Sequence, residues 1–412
     1  MAQLETTAAQ EWRAHWPLVL ASMIGLSFGS VASSSLGLFI EPLQHEFGWS
    51  RAQIGFGLSI SAMIGTPISP FAGALVDRFG PRMNAIPGLI LAGIGFAGFA
   101  LITGDYVTWI AAWLAYSLLS SLIKTTVWTT AVSASFTAGR GMALAAVLGG
   151  LGLAQSLVPI ITHWLIEHLQ WRLTFVALGL GWSGFALALA VLFLRDPLSR
   201  RKAASHSSPG YLPGGLTLAE AVRSPPLLRI SFAIFLQAVA GTAAIVHLVP
   251  ILNSMGISRG EAASMGILMG AGSMIGKLLT GWLADRRPGD LVNCSGFALP
   301  ALGYLLLYYG NLGFPALAAG TFFIGYGMGA GFQMTGYLFT HYAGLRHFGK
   351  IFGLLGSATG LGAGLGPPIA GRIFDVTGGY SLFLMLGVVQ GLLSGMAVFR
   401  LGPYPQFQRA NA

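Results

Sequence analysis

Twelve stretches of this chain run for about 20 residues or more with almost no charge, and no other sequence feature restricts the fold as strongly. They lie near 17–41, 52–76, 84–103, 107–135, 141–167, 172–194, 227–253, 260–283, 291–310, 314–341, 350–375 and 380–400. A helix of that length crosses the hydrocarbon core of a bilayer with its backbone N–H and C=O groups satisfied internally. Composition agrees. Only 8% of the 412 residues are charged, against roughly 25% in a soluble domain, so lipid must replace water over most of the surface. The 59 glycines suit close approach of membrane helices. The expectation is an all-α membrane protein of twelve transmembrane helices.

The charges that exist are unevenly placed. With the N-terminus inside, 16 of the 22 Lys and Arg fall on inner segments and four (Arg51, Arg172, Arg259, Arg372) on outer ones; Lys124 and Lys277 lie within spans. The positive-inside rule then puts both termini in the cytoplasm, and the expected location is the plasma (inner) membrane. It also accounts for the net charge of +9 without nucleic acid, since no basic run is interleaved with stacking aromatics. The N-terminal MAQLETTAAQEWRAHWP has no charged region, short apolar core and cleavage site in order, and reads as a retained tail. The single Cys294 excludes an internal disulfide and any Cys-based metal or iron–sulfur site, and no cofactor is expected.

The longest inner loop, 195–226, carries Arg200, Arg201 and Lys202, then SHSSPGYLPGG, then LTLAEAVRS, a short amphipathic stretch expected on the membrane surface. It separates an N-terminal six-helix bundle (1–194) from a C-terminal one (227–412). The two match at a constant offset of 208 residues: Pro42 with Pro250, Gly48 with Gly256, Ser50 with Ser258, Arg51 with Arg259, GALVDR (73–78) with GWLADR (281–286), Gly141 with Gly349, Pro159 with Pro367, Phe175 with Phe383 and Gly179 with Gly387. One shift across four helix pairs implies two parallel six-helix bundles with pseudo-two-fold symmetry. Secondary transporters are commonly built this way, with substrate held near the midplane.

GALVDRFGPR, between spans 2 and 3, resembles the signature loop of the major facilitator superfamily, and GWLADRRPGD is its weaker copy. The resemblance covers essentially the whole chain and implies the major facilitator fold. It also implies gating roles: Gly73 for tight helix packing, and Asp77, Arg78 and Arg82 for a charge network at the inner gate. Gly281, Asp285 and Arg286 take those roles in the copy. For the arginines, the alternative is topology alone. FTAGRGMALAAVLGGLGLAQSLVP, QWRLTFVALG and GLFIEPLQHEFGWSRAQIG are similar to the oxalate/formate antiporter and monocarboxylate porter group. In those relatives an intramembrane cation on span 8, usually Arg, binds the substrate carboxylate. Here that residue is Lys277, a point charge without the bidentate fork. Ser273 stands where proton-coupled relatives carry an acid, and Ser357 where the oxalate exchangers carry a lysine.

Lys124 is the lone Asp, Glu, Lys or Arg between Tyr106 and Gly139. An ammonium at mid-span costs at least about 2.5–3.5 kcal/mol. Roughly 17 Å of helical rise separates Lys124 from the nearer end of its span, too far to snorkel. No Asp or Glu falls in the middle of any span; Glu41, Glu167, Glu261 and Asp375 sit near outer ends. Two central cations without a central anion predict an anionic ligand. Gln237, on span 7, and Gln333, one residue past the repeat mate of Lys124, are candidate amide donors; helix–helix bonding is the alternative use. His247, on span 7 nearer the outside, is a candidate ligand or proton-relay group, or an interface histidine. Trp113, Tyr116 and Trp128 face either an aromatic acid or lipid.

No HExxH, GxSxG or paired-carboxylate pattern points to an enzyme, and GIGFAG (93–98) lies inside an apolar span rather than after a strand. The expected function is secondary active transport of a small organic anion, a mono- or dicarboxylate, by alternating access. Expected partners are the lipid bilayer and a co-transported proton or exchanged anion, with the monomer as the working unit. The alternatives are a multidrug or metabolite efflux carrier, whose GxxxGPxxGG pattern is absent around Pro159, and a non-transporting membrane sensor.

Overall fold

The computed structural model describes residues 7–194, 214–286, 289–344, 346–405 and 407. Its helices start and stop where local chemistry dictates. Thr7 and Gln10 form a capping box at the start of α1 (Ala8–Phe28). After α2 (Val31–Phe47), Ser50 and Gln53 exchange the equivalent bonds ahead of α3 (Arg51–Phe79). Their repeat mates Ser258 and Glu261 do the same in the second half. Gly48 and Gly256, also repeat mates, take φ of 68° and 85°, the left-handed turn that Gly makes at least cost.

Span 1 is α1 with α2, and span 2 is α3. Span 3 is α4 (Pro81–Ala97) with a 3₁₀ turn at Gly98–Leu101. Span 4 is α5 (Tyr106–Leu119), a 3₁₀ turn at Ser120–Ile123 and α6 (Thr125–Ser133). Two helices that meet at Gln170 (φ 62°, ψ 166°) make up α7 (Arg140–Val176), which supplies span 5 and the start of span 6. A π turn (Ala177–Trp182) and α8 (Ser183–Phe193) complete span 6. Past the short α9 (Leu218–Ala221), α10 (Pro225–Ser254) is span 7, and α11 (Arg259–Ser264) with α12 (Gly266–Arg286) is span 8. Spans 9 to 12 are α13 (Asp290–Tyr308), α14 (Phe314–Ala343), α15 (Phe348–Thr377) and α16 (Ser381–Val398).

This is the expected all-α, twelve-span order, with two local differences. The helix that carries span 1 begins at Ala8, ahead of the membrane-crossing part that starts near residue 17, because the Thr7 cap extends it through polar residues. Span 4 is not continuous over 107–135; it breaks at Lys124, which is extended at φ −60°, ψ 160°. Eight helical stretches among the described residues are long and apolar enough to span on their own, one of them, Arg140–Phe193, turning back at Gln170 to supply two spans. The others, α3, α14 and α15, are 29, 30 and 30 residues long.

The chain forms two compact units, Met1–Ser35 with Ile64–Ser207, and Leu36–Met63 with Ser208–Ala412. In the first, Phe96, Phe99, Trp109, Trp113, Tyr116 and Phe175 form an edge-to-face and stacked aromatic core. In the second, α12 and α14 meet backbone to backbone. A Cβ on Gly276 would lie 2.2 Å from the Tyr326 carbonyl oxygen, and one on Gly329 only 1.8 Å from that of Ser273. Segment 36–63 packs in the same unit, where Ser59 Oγ donates to the Gly364 carbonyl at 2.7 Å. The basic cluster Arg200, Arg201 and Lys202 lies outside the described residues. The end of the linker docks through Leu216 N–H on the Ala343 carbonyl at 2.8 Å.

Gly329→Val should therefore force α12 and α14 apart, costing about 1–3 kcal/mol or more. Gly336→Ala, where an added Cβ meets nothing within 4 Å, should be neutral. Thermal melting of both variants in detergent checks the contrast: a lowered midpoint for the first and none for the second.

Candidate functional site

The break in span 4 has a local cause. The hydroxyls of Ser117, Ser120 and Ser121 bond back to the carbonyls of Trp113, Ser117 and Leu118, at 2.5, 3.4 and 2.6 Å, competing with the helix ladder. The Trp128 indole takes the Ile123 carbonyl at 3.1 Å, so that oxygen needs no helical N–H. Lys124 then stands at the N-cap of α6, and no side chain caps the first N–H groups of that helix. Those groups, on Thr125 and Thr126, carry the partial positive charge of a helix start.

Lys124 is half-buried. Its ammonium rests against Gly65 of α3, where an added Cβ would lie 2.8 Å from Nζ. Among the described residues no hydrogen bond or ion pair reaches that ammonium. A whole charge and a half-helix terminus thus share one mid-span position, an arrangement that attracts anions.

In the second unit, Lys277 of α12 is half-buried, with Nζ 5.9 Å from the centroid of the Phe332 ring. Phe332 is the repeat mate of Lys124, and Ser273 that of Gly65. Each unit therefore carries its lysine in the same helix pair, but on the opposite member. Gln333 is exposed on α14 and its amide lies beside Gly281, 3.4 Å from where a Cβ would stand. Residues 277 and 281 are one turn apart on α12, so Lys277, Phe332 and Gln333 line one seam. Ser273 is buried under Gly329, which leaves packing where the resemblance puts an acid.

Other candidates are engaged elsewhere. Gln237 is buried, and its Nε2 donates to the carbonyls of Gly296 (2.9 Å) and Gly327 (2.6 Å). Both amide hydrogens are spent, which leaves none for a carboxylate. His247 has no exposed surface, and its ring nitrogens contact Tyr380 Oη and the Pro367 carbonyl. Trp113, Tyr116 and Trp128 are buried, so they face neither lipid nor ligand.

At the two signature loops, a Cβ on Gly73 would meet nothing within 4 Å. The tight helix packing implied for Gly73 thus has no counterpart among the described residues. Arg82 donates to the carbonyls of Leu194 (2.8 Å) and Val191 (2.9 Å), capping α8. Arg78 and Arg286 are exposed, over the rings of Phe79 and Trp282. Asp285 is exposed, and the side chain of Asp77 lies outside the described residues.

Sequence reading missed Gly65, which only the register of α3 against Lys124 reveals. It also missed Glu11, which precedes the apolar stretch beginning at residue 17. Glu11 accepts from the Thr137 hydroxyl and from the N–H groups of Thr137, Ala138 (3.2 Å) and Gly139 (2.9 Å), tying α1 to the turn before α7. The Thr137 hydroxyl first, then the Gly139 N–H, hold its carboxyl down at about 2, below the ordinary 4.5.

A membrane protein of twelve spans, built on an internal repeat and carrying cations inside its spans, has the architecture of a solute carrier. The chain belongs to the Major Facilitator Superfamily, whose family pattern matches residues 20–314. Monocarboxylate transporter 13 of Bos taurus is 27% identical over 402 residues, covering 94% of this chain and 89% of that protein. Monocarboxylate transporter 11 of Homo sapiens is 28% identical over 410 residues, covering 91% and 79%. The crystal structure of a D-xylose–proton symporter has the same fold, with a TM-score of 0.71 at 15% identity over 95% of this chain and 98% of that one. The protein is thus an integral membrane transporter of this superfamily, with the major facilitator fold.

The Glu11 cradle has a pH signature. A carboxyl depressed from 4.5 to about 2 stabilises the fold above pH 4.5, and the contribution fades as pH falls toward 2. Melting curves of wild type and Glu11→Gln should differ most above pH 4.5 and converge on acidification. A difference independent of pH would contradict this.

Proposed function

We propose that the protein is a secondary transporter carrying a small organic anion, a mono- or dicarboxylate, across the plasma (inner) membrane by alternating access, with both termini in the cytoplasm. The observation that carries this reading is the Lys124 ammonium at mid-span, beside an uncapped helix start and with no acidic partner among the described residues. Holding that charge in a span costs about 2.5–3.5 kcal/mol, and a carboxylate arriving from water offsets part of the cost. The site is electrostatically incomplete until an anion binds, and this favours substrate over empty carrier.

Lys277 is proposed as an anion contact of the second unit, with Gln333 beside it. An ammonium in place of a guanidinium fork holds a carboxylate without fixing its orientation, which favours small substrates over one rigid dianion. Names among the relatives point to monocarboxylates. Two intramembrane positive charges disfavour cationic drugs and so the efflux alternative. Asp77, Arg78 and Arg82, with Gly281, Asp285 and Arg286, are the proposed inner-gate residues.

Uptake of labelled mono- and dicarboxylates into proteoliposomes tests this. Lys124→Ala and Lys277→Ala should each lower uptake about tenfold or more, a loss of at least about 1.4 kcal/mol of binding or transition-state stabilisation, with near-normal expression. Uptake that survives both changes contradicts the assignment. Gly65→Val, which crowds the ammonium, should lower uptake in the same direction without altering any charge; wild-type uptake in that variant would argue against Gly65 as the surface that positions Lys124.

A further inference from the structure

The start of α3 is held within the second unit by polar contacts that the carboxylate site does not use. Asp375 of α15 accepts from the backbone N–H groups of Arg51 (3.1 Å) and Ala52 (3.0 Å). The Arg51 guanidinium lies 3.5 Å from the centroid of the Phe374 ring, and its Nη1 donates to Tyr380 Oη at 2.6 Å. Tyr380 Oη is 2.8 Å from His247 Nδ1, and His247 Nε2 is 3.0 Å from the Pro367 carbonyl oxygen. Four segments meet in this line: α3, α10, α15 and the residue before α16.

The partners fix the hydrogens along it. Arginine only donates, so the Tyr380 oxygen accepts from Arg51 and the phenol hydrogen is free to point at Nδ1. A carbonyl only accepts, so Nε2 carries the ring hydrogen. The contacts define a neutral His247 with its basic nitrogen, Nδ1, held toward a hydroxyl, so that Nδ1 is where a proton adds. The charged groups acting on it are Arg51 and Asp375, and the carboxylate of Asp375 is already engaged by two N–H groups. Beside this line is a cavity of about 210 Å³ whose lining includes Arg51, Asn253, Glu41 and Arg259. Glu41 pairs with Arg259 across it at 3.2 Å, and among the described residues the buried Arg51 Nε and Asn253 Oδ1 have no hydrogen-bond partner, a polar lining that suits water.

Protonation reverses one link. Nδ1–H would then point at the Tyr380 oxygen, which already takes the Arg51 N–H, and the phenol hydrogen must turn away. Imidazolium and guanidinium would share one neutral oxygen in a buried place, where like charges repel strongly. The contact strained by that repulsion is Arg51 to Tyr380, at the beginning of α3.

We propose that His247 is the binding site of a co-transported proton, and that the Arg51–Tyr380 contact is what its protonation releases. This rests on the carboxylate-transport reading and selects a proton over an exchanged anion as the coupling partner. The proton adds to Nδ1 as the substrate is taken up and leaves the same nitrogen on the far side of the cycle; no bond other than N–H forms or breaks.

Proteoliposomes with a trapped pH dye test it, with carboxylate exchange measured on the same vesicles and protein-free vesicles as blank. Wild type should acidify its lumen as the carboxylate enters. His247→Gln, which can keep both hydrogen bonds but holds no extra proton, should lower proton influx relative to exchange by about tenfold. Tyr380→Phe, which keeps the ring, should lower the same ratio and guards against a folding defect in the first variant. An unchanged ratio in His247→Gln overturns the proposal. Wild-type carboxylate influx without protons also overturns it and leaves the carrier reading standing. Vesicles silent in exchange refute the carrier reading, and the proton site falls with it.

Discussion

A positive charge at the middle of a membrane helix, with no carboxylate to meet it among the described residues, is the constraint around which this structure is organised. Around Lys124 the helix itself gives way. Three serines turn their hydroxyls onto preceding carbonyls, Trp128 takes the Ile123 carbonyl, and the chain passes through an extended residue before α6 begins. Irregular backbone survives at such depth only where protein or a polar cavity satisfies it. The break adds the positive end of a half-helix to the lysine's own charge, and the glycine at position 65 gives the ammonium room.

The repeat shows how two halves of the sequence built alike have divided the work. Gly48 and Gly256 keep the same left-handed turn, and Ser50 and Ser258 the same cap. Arg51 and Arg259 start the same helix but spend their guanidinium groups differently, one on Tyr380 and Phe374, the other on Glu41 and the Leu38 carbonyl. The lysines differ in the same way: Lys124 sits opposite a glycine, and Lys277 sits over Phe332, the residue that replaces Lys124 in the repeat. Backbone features have stayed paired while the side chains that carry charge have diverged.

The architecture was legible in the sequence because it rests on local quantities. Apolar length places the spans, capping boxes and glycines place their ends, and a constant offset reveals the repeat. The site was legible only in part. Lys124 stands out by charge alone, but the break beneath it depends on serine hydroxyls bonding one turn back, which an apolar count does not register. Gln237 looked like a ligand donor because its two acceptors, Gly296 and Gly327, lie 59 and 90 residues away. His247 hid its partners for the same reason. Gly73 looked like a packing glycine from the motif, and among the described residues no neighbour presses on it.

The central claim is that the Lys124 ammonium, set at a helix break, binds a carboxylate. The most direct measurement is thermal stabilisation of the purified protein by a panel of mono-, di- and aromatic carboxylates, compared between wild type and Lys124→Gln. A ligand at 100 times its Kd stabilises a folded protein by about 2.7 kcal/mol, so the account predicts a rise in melting temperature with at least one small carboxylate that disappears in the variant. An equal rise in both proteins would contradict it.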